Sequence, residues 1–183
     1  MLSHSFRVLG GKWRGRKFQF HPETALRPTL SYVRETLFNW LQSRVVGSRC
    51  LDAFAGSGAL GIEALSRGAH QVTFVDHNSK SLHCIQQHLH SLATEGGEIC
   101  TLSLPQHISQ LPVIPYDLVF LDPPFHSDLL PRTLTALFTS GLVTHESLVY
   151  IETTRKNMEF GATWQIHRCQ HTKHITYGLL RLA

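Results

Sequence analysis

The 183-residue sequence predicts an α/β domain, a doubly wound and mainly parallel seven-stranded sheet, carrying a β-hairpin extension at its amino terminus. Three features carry that expectation. Short β-branched and aromatic runs alternate with helical segments, the pattern of a parallel sheet covered on both faces. A glycine-rich turn, "LDAFAGSGALG", joins one of those runs to a helix, and a later run, "YDLVFL", passes straight into "DPPF" (Asp122 to Phe125). The right-handed preference of strand–helix–strand crossovers makes such a sheet doubly wound and puts ligands at the carboxyl ends of its strands.

The opening "FRVLGGKWRGRKFQF" alternates apolar and basic residues around Gly10, Gly11 and Gly15, as a short hairpin does. After the proline-containing linker "HPETALRPT", Thr29 is placed to cap a helix whose apolar stripe is Leu30, Val33, Leu37, Phe38 and Leu41. A strand and helix follow in "SRCLDAFAGSGALGIEALSRGA", a strand in "QVTFVDHN", and a helix whose Leu82, Ile85, Leu89 and Leu92 fall at 3, 4, 3 spacing. "EICTL" reads as a strand, as does "YDLVFL". Past the proline elbow come a helix near Leu130 to Phe138, the strand "SLVYIE", and a terminal strand pair in "TWQIHRC" and "KHITYGLLRLA".

Composition narrows the class. With 42% hydrophobic residues and no low-complexity tract, the chain has enough apolar side chains for one core. No apolar run approaches the roughly 18 residues of a membrane span, and the first residues lack the apolar middle of a secretion signal, so a cytoplasmic protein is expected. Cys50, Cys84, Cys100 and Cys169 form no CxxC pair and are expected as reduced, mostly buried thiols. Among the 13 histidines, His167, His171 and His174 lie closest together, in a strand-like segment where that spacing does not converge; no metal is expected. The net charge of +4 is unevenly spread. Residues 1–44 hold eight Lys and Arg against two acids, residues 45–183 nine against eleven. The first segment is therefore expected to be a basic extension that meets a polyanion, and residues 45–183 the domain proper.

Gly56, Gly58 and Gly61 stand in G-x-G-x-x-G spacing between a strand and a helix, with Asp76 twenty residues past Gly56. A tight turn, close backbone approach and an acid for ribose hydroxyls suit any adenosine cofactor in such a fold. Asp52, at the end of the preceding strand, tips the choice away from a dinucleotide: a carboxylate there repels a pyrophosphate but receives the ammonium of S-adenosylmethionine. A nicotinamide oxidoreductase would also need chain for a substrate domain and a hydride-transfer acid or base, and neither is apparent. The elbow agrees. An exocyclic amine on a nucleobase is a poor nucleophile because its lone pair is delocalised, and a catalyst helps by aiming acceptors at its two N–H bonds. The Asp122 carboxylate and the Pro123 carbonyl are candidates, with Pro124 stiffening the turn and Phe125 stacking on the base.

With these residues in hand, the chain resembles the RsmD family, bacterial methyltransferases of a guanine 2-amino group in 16S ribosomal RNA. The likeness runs through "RVLGGKWRGRK", "LRPT" with "VRETLFNWL", "LDAFAGSGALGIEALSRGA", "FVDHN", "YDLVFLDPPF" and "LVYIE". It implies a Rossmann-like class I methyltransferase that uses S-adenosylmethionine, held by Asp52, Phe54, Gly56, Gly58 and Asp76. It implies that Asp122, Pro123, Pro124 and Phe125 grip a flipped guanine. It implies that Arg7, Lys12, Trp13, Arg14, Arg16 and Lys17 meet 16S rRNA, in the small subunit or its assembly intermediate, with the indole of Trp13 stacking, while Arg27, Thr29 and Arg34 face the cleft. Ser31 and Tyr32 stand where the family often has Asp-Arg, and "TLSLPQHISQL" lacks the acid or amide expected at the adenine edge. The competing readings are an amino methyltransferase of DNA adenine or of a protein glutamine, and an RNA-binding module without activity.

Overall fold

The computed structural model describes residues 5–20, 29–125, 127–154 and 160–183. A two-stranded antiparallel hairpin, β1 (Ser5–Arg7) and β2 (Lys17–Gln19), precedes helix α1 (Ser31–Trp40). The main sheet then builds from β3 (Arg49–Asp52), α2 (Ala59–Ser66), β4 (Gln71–Asp76), α3 (Ser79–Ser91) and β5 (Gly97–Thr101). It continues through β6 (Leu118–Leu121), α4 (Leu129–Thr139), β7 (Leu148–Thr153), β8 (Trp164–His171) and β9 (Thr176–Leu182).

The sheet is seven-stranded, in the order β5-β4-β3-β6-β7-β9-β8. Neighbours from β5 to β7 are parallel, and β9, antiparallel to both β7 and β8, is the one strand of this sheet that runs the other way, so the expected α/β class holds. From β3 the chain winds outward through β4 and β5, then returns to β6 and winds the other way. The topological switch point therefore lies between the carboxyl ends of β3 and β6, where such sheets bind ligands.

Side-chain alternation divides the core into two layers. Cys50, Leu118, Phe120 and Tyr150 face the layer covered by α1, α2 and α3, while Leu51, Val119, Leu121, Val149 and Ile151 face α4. The hairpin belongs to the first layer: Phe6, Val8, Trp13, Phe18 and Phe20 are all buried in it. The basic segment is thus docked, not a free arm.

Every residue of α2 is buried, and that helix is where the hairpin attaches. Glu63, with no exposed surface, accepts the Leu9 and Gly10 N–H groups (2.8 Å each) and Arg67 Nε (2.7 Å), and lies 4.0 Å from Arg34 Nη1. Ser66 completes the joint. Its carbonyl accepts Lys12 N–H (2.7 Å), and its hydroxyl accepts Trp13 N–H (2.9 Å) while donating to the Gly10 carbonyl (2.6 Å). Gly11 sits at φ +75°, and a Cβ there would lie 1.8 Å from the Ser66 carbonyl oxygen, so glycine at this position is a docking requirement.

Local chemistry at helix starts differs from the sequence reading in one place. Thr29 does not cap α1; the N-cap is Leu30, with no side-chain bond, because the Thr29 hydroxyl is spent on Asp122. Asn78 caps α3 instead, its side chain accepting Lys80 and Ser81 N–H. Of the four thiols, all free, Cys50 is buried and the other three are only half-buried. Among the described residues no helix is long and apolar enough to cross a membrane.

Candidate active site

At the switch point, the loop after β3 is stitched to both neighbours. Ala53 N–H donates to the Phe120 carbonyl (3.1 Å) and Ala55 N–H to that of Val75 (2.9 Å), which carries the turn across the ends of β6 and β4. Gly56 and Gly58 have φ of +50° and +75°, and a Cβ on Gly58 would meet Ile85 at 2.8 Å. Gly61 serves packing: a Cβ there would lie 2.2 Å from the ring of Phe74, so α2 can lie close on β4 only with glycine at this position.

Two acids brace the loop. Asp76 accepts Gly56 N–H on Oδ2 (2.8 Å) and Asn78 N–H on Oδ1 (2.9 Å), with His77 Nδ1 3.3 Å from Oδ1. A carboxylate offers about four lone-pair sites, so capacity remains for ribose hydroxyls. Asp52 accepts Gly61 N–H on Oδ2 (2.9 Å). Burial pushes its carboxyl up to about 7, with the charge of Asp76 adding and the Gly61 bond opposing. Such an acid is short of a cation, which is what the ammonium of S-adenosylmethionine would supply. The left-handed glycines, the two oriented carboxylates and half-buried Phe54 fit that cofactor.

A pH dependence follows from Asp52. Its carboxyl lies above the unfolded value near 3.9, so between about pH 4 and 7 the native state binds more protons, and this group makes stability fall as pH rises through that window. In Asp52→Asn the Gly61 bond keeps an acceptor and that loss disappears. The variant is expected to have a higher urea midpoint than the parent at pH 8, to match it at pH 4, and to lose S-adenosylhomocysteine binding in calorimetry.

The elbow stands one strand away. β3 pairs with β6 at Asp52 and Phe120, and Asp122 follows two residues later. The Thr29 hydroxyl donates to Asp122 Oδ2 (3.2 Å). Although Asp122 keeps an opening to solvent, the surrounding protein raises its proton affinity well above the carboxylate range, and the charge of Glu152 raises it further. Pro123 is buried, Pro124 and Phe125 are exposed, and the Pro124 carbonyl accepts the Ser127 hydroxyl (2.6 Å), closing the turn. The Phe125 ring, 42% exposed, is available for stacking.

The basic residues divide. Arg7, Lys12, Arg14, Arg16 and Lys17 are exposed. Trp13, at 8% exposure, is not a stacking platform; its indole fills the core beneath Lys12, whose Nζ lies 5.7 Å above the ring. Arg34 is likewise buried at 1%, donating to the Arg7 carbonyl (3.0 Å) and facing Glu63, so it secures the hairpin while lining the cleft beside it. Thr29 lies inside the site as Asp122's partner, and Arg27 falls outside the described residues. A cleft of about 290 Å³ is lined by Arg7, Lys17, Thr29, Ser31 and Arg34, and Thr29 at its wall is the residue that hydrogen-bonds Asp122 of the elbow. Sequence reading missed Glu63 and Glu152.

Comparison with known proteins shows what the chain is similar to. The profile of the family described as Conserved hypothetical protein 95 matches residues 6–181. The chain is 37% identical to Ribosomal RNA small subunit methyltransferase D of Escherichia coli (strain K12) over 179 residues, 97% of this chain and 90% of that one. The Haemophilus influenzae protein of the same name is also 37% identical, over 94% of this chain and 92% of its own. The solved yhhF structure from Escherichia coli superposes with a TM-score of 0.89 at 36% identity, covering 97% of this chain and 98% of that one.

Proposed function

The chain belongs to the RsmD family of ribosomal RNA methyltransferases, and on that premise we propose that it methylates the 2-amino group of a guanine in 16S rRNA. S-adenosylmethionine is the proposed donor, and the small subunit or its assembly intermediate the proposed substrate. The observation that carries the reading is the placement of Asp122, with exposed Phe125 beside it, on the strand adjoining the Asp52–glycine loop.

When bound, the cofactor supplies an electrophilic methyl group on sulfur. The chain's own residues do the rest. Phe125 stacks on the extruded base, and Asp122 and the Pro123 carbonyl accept the two N–H bonds, drawing the nitrogen toward tetrahedral geometry with its lone pair aimed across the loop. Acceptors fixed before the base arrives cost no reorganisation in the transition state. The exposed cations of the hairpin and its loop hold RNA phosphates without reading sequence.

Lys12→Ala, Arg14→Ala and Lys17→Ala combined are expected to leave the fold intact, since all three are exposed. RNA affinity should fall, and the slope of log affinity against log salt should flatten by about 2, at ~0.7 per lost phosphate contact on single-stranded RNA. Filter binding across a salt series measures this.

The proposal itself is tested by offering tritiated methyl donor with 30S particles, naked 16S RNA, DNA and bulk protein in parallel. Label in 30S particles or 16S RNA supports it. Label in DNA or protein, with RNA unlabelled, replaces it with the adenine or glutamine reading. Tight RNA binding with no cofactor uptake replaces it with a binding module.

A further inference from the structure

A second carboxyl group lies beside the elbow, and the proposed reaction gives it no role. β7 runs parallel to β6 with Leu121 opposite Ile151, so the next residues, Asp122 and Glu152, are neighbours at the two strand ends. Alternation puts both on the face of Phe120 and Tyr150, under the linker that carries Thr29. Glu152 is 4% exposed. Tyr150 donates its hydroxyl to Glu152 Oε1 (2.8 Å), and the Thr29 side chain, which donates to Asp122 Oδ2 (3.2 Å), also hydrogen-bonds Glu152. Among the described residues, the other titratable groups that act on this cluster are Asp52 from β3 and Tyr177 from β9.

We propose that Glu152 is a positioning residue for methyl transfer: bridged to Asp122 by the Thr29 hydroxyl, it makes Asp122 the place where the amine proton comes to rest. The inference rests on the methyltransferase reading above for its chemical purpose. Two carboxyls this close in a buried site do not both ionise readily. Glu152 ionises first, because the Tyr150 hydroxyl donates to it, with Thr29 as a second partner, against the burial that raises it. Asp122 has only Thr29, and burial and the Glu152 charge both act to keep a proton on it.

The step balances. The amine nitrogen forms a bond to the methyl carbon, the carbon–sulfur bond breaks, and its electron pair stays on sulfur, leaving the nitrogen with one proton too many. Above the Asp122 midpoint, where this carboxyl is ionised, that proton passes to the Asp122 carboxylate, which accepted the same N–H bond beforehand, and then to solvent; below the midpoint the acceptor is lost, which gives the rate its acid limb. The charge on Glu152 makes this transfer favourable once the positive sulfur is gone.

The test follows the carboxyl carbon of Asp122 by NMR in protein labelled at aspartate carboxyls, assigned by the signal lost in Asp122→Asn. It needs neither RNA nor cofactor. In Glu152→Gln the Asp122 midpoint is expected to fall by about one pH unit or more, as removal of a close like charge requires. In Thr29→Val, which removes a donor but no charge, it is expected to rise. The acid limb of the single-turnover methylation rate should move with the midpoint in each variant. A packing role gives no such pair of opposite shifts. An unchanged midpoint in Glu152→Gln, or a fall in Thr29→Val, overturns the proposal, and either variant suffices should the other fail to fold. Opposite shifts in a protein that methylates no RNA would leave the carboxyl pair standing and sink the assigned substrate instead.

Discussion

Asp122→Ala is expected to lower single-turnover methyl transfer by about 10²–10³-fold or more, the range seen when one preorganised group at a reacting centre is deleted. Calorimetric binding of S-adenosylhomocysteine should stay close to that of the parent, because the loop is held by Asp52, Asp76 and backbone bonds that do not involve Asp122. Asp122→Asn separates charge from shape. It keeps an oxygen for Thr29 but cannot take a proton, so turnover should fall as in the alanine variant. Stability should move the other way. The native state holds a proton on Asp122 at pH values where the unfolded chain has released it, so this carboxyl makes stability fall as pH rises. Asparagine removes that loss, and its urea midpoint should exceed the parent's at neutral and higher pH. A catalytic group that costs stability is a common trade in enzymes. Full activity in either variant would rule out the assigned role.

Glu63→Ala is expected to cost about 3–5 kcal/mol, the range for breaking a buried ion pair by removing one partner. The Leu9 and Gly10 N–H donors and the Arg67 guanidinium lose their acceptor at once, and Arg34, in the core, loses the carboxylate 4.0 Å away that opposes its charge. Arg34 is already held below its ordinary proton affinity by burial, with Glu63 as the opposing influence, so removing the acid leaves an uncompensated cation. A single domain is stable by only about 5–15 kcal/mol, so the urea midpoint should drop by more than about 1 M. The hairpin should loosen first, read as faster amide exchange at Val8 and Trp13. A loss below about 1 kcal/mol would show that Glu63 does not hold the hairpin to α2.

Much of this architecture was legible in the residues. "YDLVFL" and "QVTFVD" became β6 and β4 because β-branched and aromatic side chains suit strands buried on both faces. The 3, 4, 3 spacing of Leu82, Ile85, Leu89 and Leu92 became the inner stripe of α3 and its cap. The glycine loop and Asp76 met as their spacing implied, since that motif encodes a local turn and one close approach. What failed depended on partners far along the chain. Trp13 read as surface because a basic hairpin resembles a solvated one, and the distant Ser66 and Glu63 draw it inward. Thr29 read as a helix cap because capping is local, whereas its actual acceptor lies 93 residues away. Two signals were present and unread. Glu63 is a lone acid in "ALGIEALS", a helix otherwise of small and apolar residues. "YIE" repeats the aromatic–apolar–acid order of "FLD" at the end of the adjoining strand.

The most direct test of the amine-methylation account is the chemical identity of the product. Small subunits from cells lacking this protein should be incubated with it and a deuterated methyl donor, and the 16S rRNA digested to nucleosides for mass spectrometry. The expected result is deuterium in N2-methylguanosine, absent when Asp122→Ala replaces the parent. Deuterium in a ring-carbon or ribose methyl group, with none in N2-methylguanosine, would contradict a site built to hold an exocyclic amine.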